Sequence, residues 1–219
     1  MEIHWDGVTQ AATISDEWGA QRNELADAAR RYDWNAVFAR LAEHPESINC
    51  TRPGGTSWYT PLHQAAHGGA PVAVVDRLIG QGAWRTLRSA HQERPVDIAQ
   101  RRGHVHLLEA LEPVYRHHVP LDVLARIERH LNEVIRGRAA QMVAEEALRL
   151  PELEPLLELE LPTIYLLVPG MYGGFHYTLE ADGPCARLVT ESWCRVAGGS
   201  GQRHVITAAG FEMVAEGFV

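Results

Sequence analysis

The sequence predicts an α+β fold, in which a short helical solenoid with a capping helix precedes a small antiparallel β-sheet domain. Three observations predict it: two similar segments in the first half, an amphipathic pattern that begins at Leu121, and short glycine-separated segments after Pro162. With 219 residues, 46% of them apolar, the chain is long enough to bury the core of one large domain or two small ones.

The internal similarity lies in the first half of the chain. The segment TPLHQAAHGGA (residues 60–70) aligns with RPVDIAQRRGH (residues 94–104) at an offset of 34. A third copy lies upstream, where Ala28 and Ala29 align with Ala65 and Ala66 at an offset of 37. A period of about 33 residues indicates a helix–turn–helix unit that buries its apolar face only against a neighbouring copy.

The central copy contains TPLHQAA, a GG turn, VVDRLI and QGA, and it resembles the ankyrin repeat family. The resemblance covers about residues 21–119 and is weaker in the two flanking copies, because only the central one carries TPLH. It implies that each repeat forms two antiparallel helices and a hairpin-like finger. It also implies that His63 bonds backbone groups, while Thr60 caps the helix that Pro61 begins.

Members of this family mostly bind other proteins through their finger tips and concave face. The resemblance therefore implies a non-enzymatic protein-binding function of the adaptor, inhibitor or immunity type. Trp58 either contacts the partner, as aromatic residues in interfaces often do, or packs under its own finger. The positions that correspond to the family's binding surface are Arg52, Trp58, Tyr59, Gln64, His67, His91, Gln92, Arg101 and Arg102.

The charge of the chain narrows the class of partner. A formal net charge of −8 argues against nucleic acid, because phosphate binding relies on clustered cationic side chains. A basic or neutral protein fits this charge better. All 20 cationic residues are arginine, which excludes a phosphate-loop lysine and a lysine Schiff base.

His63 and His67 lie four residues apart, which raises the alternative of a metal site. Such a pair needs a third or fourth ligand, and neither an HExxH motif nor a suitably spaced cysteine accompanies it. The three cysteines have no CxxC spacing, so reduced thiols are expected. We therefore expect a structural role for His63, a contact role for His67, and neither a metal nor another cofactor.

The second half changes in pattern at Leu121. Apolar residues there recur every three or four positions, which predicts an amphipathic helix that caps the repeats and that Gly137 interrupts. The acidic stretch ELEPLLELELP follows as a linker. After Pro162, five segments with alternating side chains and glycine-rich turns predict an antiparallel meander.

An alternative function places an enzyme or ligand site in the C-terminal sheet. The stretch GGSGQRH resembles a phosphate-binding glycine loop only loosely, because it lacks the GKS/T ending. Cys194 and nearby histidines suggest a nucleophile and base, although a core position for Cys194 is favoured. No catalytic residue is assigned. The candidate pocket comprises Tyr172, His176, Glu191, Trp193, Arg195, Arg203 and His204.

Four segments are predicted: an N-terminal arm (1–20), an ankyrin-like domain (21–119), capping helices with a linker (120–160) and a β-meander domain (161–219). The sequence contains no run of about 18 apolar residues and no basic, apolar leader. A soluble, cytoplasmic protein is therefore expected.

Overall fold

The computed structural model describes residues 2–195 and 199–217. It confirms the predicted α+β class, with seven α-helices and five strands among these residues. The helices are α1 (Asp16–Arg30), α2 (Trp34–Glu43), α3 (Pro61–Gly68), α4 (Val72–Gly80), α5 (Pro95–Arg102), α6 (Leu108–Leu111) and α7 (Leu121–Glu145). The strands are β1 (Thr163–Val168), β2 (Gly173–Ala181), β3 (Arg187–Cys194), β4 (Ser200–Thr207) and β5 (Gly210–Gly217).

The chain divides into two compact units. The first, called the helical unit, is Val8–Val114. The second, called the sheet unit, joins Met1–Gly7 to Tyr115–Val219. No helix in the described ranges is long and apolar enough to span a membrane. Val196, Gly198 and Phe218–Val219, which belong to predicted strand ends and to the predicted glycine loop, lie outside the described residues.

The helical unit is built from helices that pack in succession. α1 contacts α2 and α3, α3 contacts α4 and α5, and α6 contacts α4 and α5. Small residues line these contacts, and the following alanines are at most 2% exposed: Ala28, Ala29, Ala65, Ala66 and Ala99. Leu41, Leu78 and Leu111, which the alignment places at equivalent positions, are buried in the same core.

Equivalent positions of the aligned copies share unusual backbone conformations. Tyr32, Gly69 and Gly103 follow the ends of α1, α3 and α5, and their φ angles are 59°, 65° and 77°. Their spacings of 37 and 34 residues are those of the sequence alignment. Trp58 and Gln92, also 34 residues apart, have φ angles of 52° and 61°. The similarity in sequence therefore corresponds to a repeated local geometry.

Thr60 caps α3 as its sequence predicts. Its hydroxyl accepts a hydrogen bond from the His63 backbone nitrogen at 3.4 Å, and it lies 2.8 Å from Nδ1 of the His63 ring. The Thr60 backbone nitrogen donates to the same ring nitrogen at 3.3 Å. Both side chains are buried. In the described part of the chain, no three His, Cys, Asp or Glu side chains are grouped so that they could hold a metal ion.

The sheet unit contains the predicted antiparallel meander. Each strand pairs with the next in the order β1 to β5, and α7 packs against β1, β3, β4 and β5. Buried side chains from both layers form the core between them: Ile127, Leu131 and Ile135 from α7, with Ile164, Leu166, Phe175, Tyr177, Leu188 and Ile206 from the sheet. The helix runs through Gly137, and its non-helical residue is Ala139, so the predicted interruption at Gly137 is wrong.

The N-terminal residues of the sheet unit lie along β1. The Tyr165 nitrogen donates to the Ile3 oxygen at 2.8 Å, and the Trp5 nitrogen donates to the Tyr165 oxygen at 2.7 Å. His4 thereby forms a parallel bridge with Tyr165. This pairing places the His4 side chain on the same face of the sheet as Tyr165.

Replacing Thr60 with alanine should lower the free energy of unfolding by about 0.5–2 kcal/mol, the usual effect of losing an N-cap hydroxyl. Urea unfolding followed by helical circular dichroism measures the change. Thr60→Ser keeps the hydroxyl and serves as the control. Equal losses in Thr60→Ala and Thr60→Ser would show that the cap does not hold α3.

Candidate functional site

A groove of about 560 Å³ lies on the helical unit. It is lined by residues from the end of α1, the loop before α3 and α3 itself: Ala26, Arg30, Tyr32, Arg52, Gly54, Gly55, Thr56, Ser57, Trp58, Tyr59, Gln64 and His67. Five of the nine residues predicted to bind a protein are among them, namely Arg52, Trp58, Tyr59, Gln64 and His67.

Two aromatic residues of the groove occupy a backbone region that bulky residues rarely adopt. Tyr32 and Trp58 both have positive φ angles. Gly68 makes room for the Tyr32 ring, because a Cβ atom at position 68 would lie 2.3 Å from Tyr32 Cε1. The glycine at the end of α3 thus allows Tyr32 to lie directly against that helix.

A chain of polar and ring contacts connects the aromatic residues of the groove. The Tyr32 hydroxyl lies 3.0 Å from Nδ1 of His67, and the rings of His67 and Tyr59 are 5.9 Å apart. Tyr59 also stacks on His63 and forms a hydrogen bond with Arg101. Residues from all three copies of the repeat are therefore joined at one surface.

The charge of the groove differs from that of the whole chain. Within the described residues its lining includes two arginines and a histidine but neither aspartate nor glutamate. Asn23 and Asp27 hold the Arg52 guanidinium from behind, with Nη1 donating to Asn23 Oδ1 at 3.2 Å. The exposed Arg30 side chain forms neither a hydrogen bond nor an ion pair with another described residue. The groove is thus locally cationic on a protein of net charge −8.

His67 lies in this cationic environment. Burial lowers its pKa from the ordinary value of 6.5, and the positive charges of Arg102, Arg101 and His104 lower the pKa further. The ring is therefore mainly neutral at pH 7. A neutral ring is able to accept a hydrogen bond from the Tyr32 hydroxyl through Nδ1.

The other four residues of the predicted surface lie next to the groove without lining it. His91, Gln92, Arg101 and Arg102 are exposed on the following loop and on α5. Arg101 pairs with Glu93 through two hydrogen bonds of 2.6 and 3.0 Å. This pairing lowers the pKa of the Glu93 carboxyl.

Sequence reasoning did not single out Arg30 and Tyr32, although the alignment contained a signal for both. An offset of 37 places Arg30 opposite His67, and an offset of 34 places His67 opposite Arg101. The same alignment places Tyr32 opposite Gly69 of the central copy. Residues at equivalent repeat positions share one surface, so His67 indicated that Arg30 belongs to the same surface.

A second candidate site, called the sheet pocket, lies on the outer face of the sheet and has a volume of about 390 Å³. Tyr165, His176 and Glu191 stand side by side in the register of β1, β2 and β3. The rings of Tyr165, His176 and Trp193 lie 5.5 to 6.5 Å from one another. The lining is Glu2, His4, Tyr165, Leu167, His176, Glu191, Trp193, Cys194, Arg195, Gly199 and Ser200.

The sheet pocket unites four residues of the predicted ligand site, His176, Glu191, Trp193 and Arg195. Arg203 flanks it, since both His176 Nε2 and Arg203 Nη1 lie 3.5 Å from the Glu191 carboxylate.

The remaining two residues of the predicted ligand site lie elsewhere. His204 is buried on the other face, because successive strand residues point to opposite sides. Burial and the charge of Arg138 lower its pKa. Tyr172 is 76% exposed and does not line the pocket. Cys194 is half-buried at the edge of the pocket, and its Sγ donates to the Met171 oxygen at 3.0 Å.

The likeness of this chain to known proteins is weak. Neither a family model nor a curated protein matches the sequence. Among solved structures, it is similar to a chain of the complex between the Bd0816 predatory endopeptidase from Bdellovibrio bacteriovorus and immunity protein Bd3460. The identity is 25%, the match covers 40% of this chain and 42% of that chain, and the TM-score is 0.34. The match spans less than half of either chain, and so low a TM-score does not show a shared fold.

His67 should titrate below 6.5 in a proton NMR titration of its ring, because burial and neighbouring cations favour the neutral form. Arg102→Gln should move this pKa upward, whereas Arg40→Gln, on α2 outside the groove, should leave it unchanged. Since the pKa is lower in the folded state, the contribution of His67 to stability is complete above 6.5 and is lost as the pH falls. A titration midpoint at or above 6.5 in the wild type would contradict the cationic environment.

Proposed function

We propose that the chain is a non-enzymatic protein-binding protein of the adaptor, inhibitor or immunity type, built on ankyrin-type repeats in residues 21–119. The successive packing of α1, α3 and α5 supports this proposal, as do their buried alanines. The positive φ angles at equivalent positions support it further. Hydrogen bonds between neighbouring loops, from Gly54 to Thr9 and from Ala90 to Ser57, fit fingers that pack side by side.

The groove is the surface through which we propose that this protein binds its partner. The observation that carries the proposal is that five residues selected from the repeat pattern lie together with Tyr32 and Arg30 around one groove. Aromatic residues and arginine contribute most of the energy in many protein interfaces. Binding then depends on shape and charge complementarity, and no covalent bond changes.

The backbone of Tyr32 and Trp58 adds to this argument. A left-handed conformation costs a residue with a side chain of the order of 1 kcal/mol or more, and such strain persists mainly where function maintains it. Both strained aromatic residues line the groove, and no described residue of β1 to β5 other than glycine has a positive φ angle. Their position therefore favours a binding role over a role in stability.

Replacing Gly68 with alanine should weaken capture of the partner about tenfold, a loss of about 1.4 kcal/mol, because the added methyl group displaces the Tyr32 ring. Gly80→Ala at the end of α4 is the matched control, since a Cβ atom there meets nothing within 4 Å. Affinity capture from lysate of the source organism, quantified by mass spectrometry, measures the partner retained by each variant. Equal capture by both variants would separate Tyr32 from binding.

A second candidate function, small-ligand binding, is favoured by the rings of the sheet pocket. Faces of tryptophan and tyrosine attract cations, and the carboxylates of Glu2 and Glu191 add negative charge to the lining. Arg195 also lines the pocket, so a small ligand with both a cationic group and a carboxylate satisfies both charges. We propose a cationic amino acid as the ligand class.

L-Arginine at 100 times its dissociation constant should stabilise the protein by about 2.7 kcal/mol. A thermal-shift titration with L-arginine, and with choline as a cation without a carboxylate, measures the effect. Trp193→Ala should abolish the shift, while Trp34→Ala in the helical unit should keep it. Absence of any shift up to millimolar concentrations would remove this candidate.

A further inference from the structure

The partner's charge follows from the lining of the groove, and this inference rests on the proposed function. The net charge of −8 alone favours a basic or neutral partner. Binding, however, depends on the charges that the partner meets at short range, because salt screens exposed charges over about 8–10 Å. The cations of the groove are therefore more informative than the net charge of the chain.

The two arginines of the groove differ in how they are held. Arg52 is fixed by Asn23 and Asp27 through its two terminal nitrogens, so its guanidinium is oriented before a partner arrives. Arg30 stands exposed at the last position of α1 and has no acidic partner among the described residues. A preorganised and an unpaired guanidinium in one groove form a site for carboxylate groups.

The rest of the lining defines what accompanies the carboxylate. Tyr32, Trp58 and Tyr59 provide aromatic surface, and Gly54 and Gly55 leave the backbone of the loop accessible. Such a lining fits an extended peptide segment in which acidic residues alternate with apolar or aromatic ones. A nucleic acid strand fits less well, because its closely spaced phosphates require more cations than two arginines provide.

We propose that the groove binds an acidic segment of the partner protein, with an aspartate or glutamate carboxylate bound by Arg30 and Arg52. The neighbouring aromatic rings take the apolar side chains of that segment. The chain thus selects its partner by a local charge that is opposite to its own net charge.

Peptide selection tests this proposal on the full chain. A phage library of random dodecapeptides is selected on immobilised wild-type protein, and a selected peptide is synthesised for fluorescence anisotropy. The selected peptides should be rich in Asp and Glu beside aromatic residues. Replacing an acidic residue of the peptide by its amide should weaken binding about tenfold or more, the expected loss for a charged hydrogen bond.

Substitutions in the protein provide the matched comparison. Arg30→Gln and Arg52→Gln should each weaken binding of the peptide about tenfold, and the charge-preserving Arg52→Lys should restore part of it. Arg40→Gln should bind like the wild type, because this residue pairs with Glu24 and Glu43 away from the groove. Arg30→Gln is the most direct variant, since its side chain has no other described contact to lose.

His67 offers an independent readout. A bound carboxylate stabilises the protonated ring, so the acidic peptide should raise the pKa of His67, whereas its amide analogue should not. The other charged or titratable groups that face this ring from the elements packed against it are Tyr32, Tyr59, Arg101, Arg102 and His104. None of them gains or loses charge between the two peptides at neutral pH.

The outcomes separate this inference from the proposed function. Peptides that require Tyr32 and Trp58 but carry no acidic residue would leave the groove as a binding site and overturn its acidic specificity. Peptides that bind all groove variants equally, or no enrichment over blank resin, would overturn both. Tighter binding of a single-stranded oligothymidylate than of any selected peptide would assign the groove to nucleic acid and also overturn both.

Discussion

The helical unit depends on close contact between α1, α3 and α5. The distance between packed helices is set by the side chains between them, and here those side chains are small: Ala28, Ala29, Ala65, Ala66 and Ala99. This close packing brings the ends of successive helices next to one another. Arg30 and Tyr32 at the end of α1 therefore lie beside His67 on the last turn of α3, and the groove between them exists only because the helices are that close.

Much of the fold could be predicted from local patterns. Alternation and glycine-rich turns predicted the antiparallel sheet, and the Thr60 cap followed from four residues of sequence. Features that depend on distant contacts could not be predicted in this way. The pairing of residues 3–5 with β1 joins segments about 160 residues apart, and the position of the helical irregularity at Ala139, not Gly137, reflects how α7 packs.

The candidate sites show the same division. Five groove residues follow from the repeat pattern, because a repeat fixes which positions face the same side. Arg30 and Tyr32 were missed, since the upstream copy lacks the TPLH signature that marks its register. His204 was grouped with Arg203, its neighbour in sequence, although adjacent strand residues face opposite sides. Net charge was also a poor guide, because acidic side chains elsewhere on the protein conceal a cationic groove.

Tyr32 stands where the later copies of the repeat have Gly69 and Gly103, and all three share the left-handed backbone. Engineering the first copy toward the others would install glycine at position 32. That exchange relieves the backbone, yet it also removes a wall of the groove and the hydroxyl beside His67. A more regular and more durable repeat would in this case be a less useful one, because the irregularity of its first copy is what makes the surface selective.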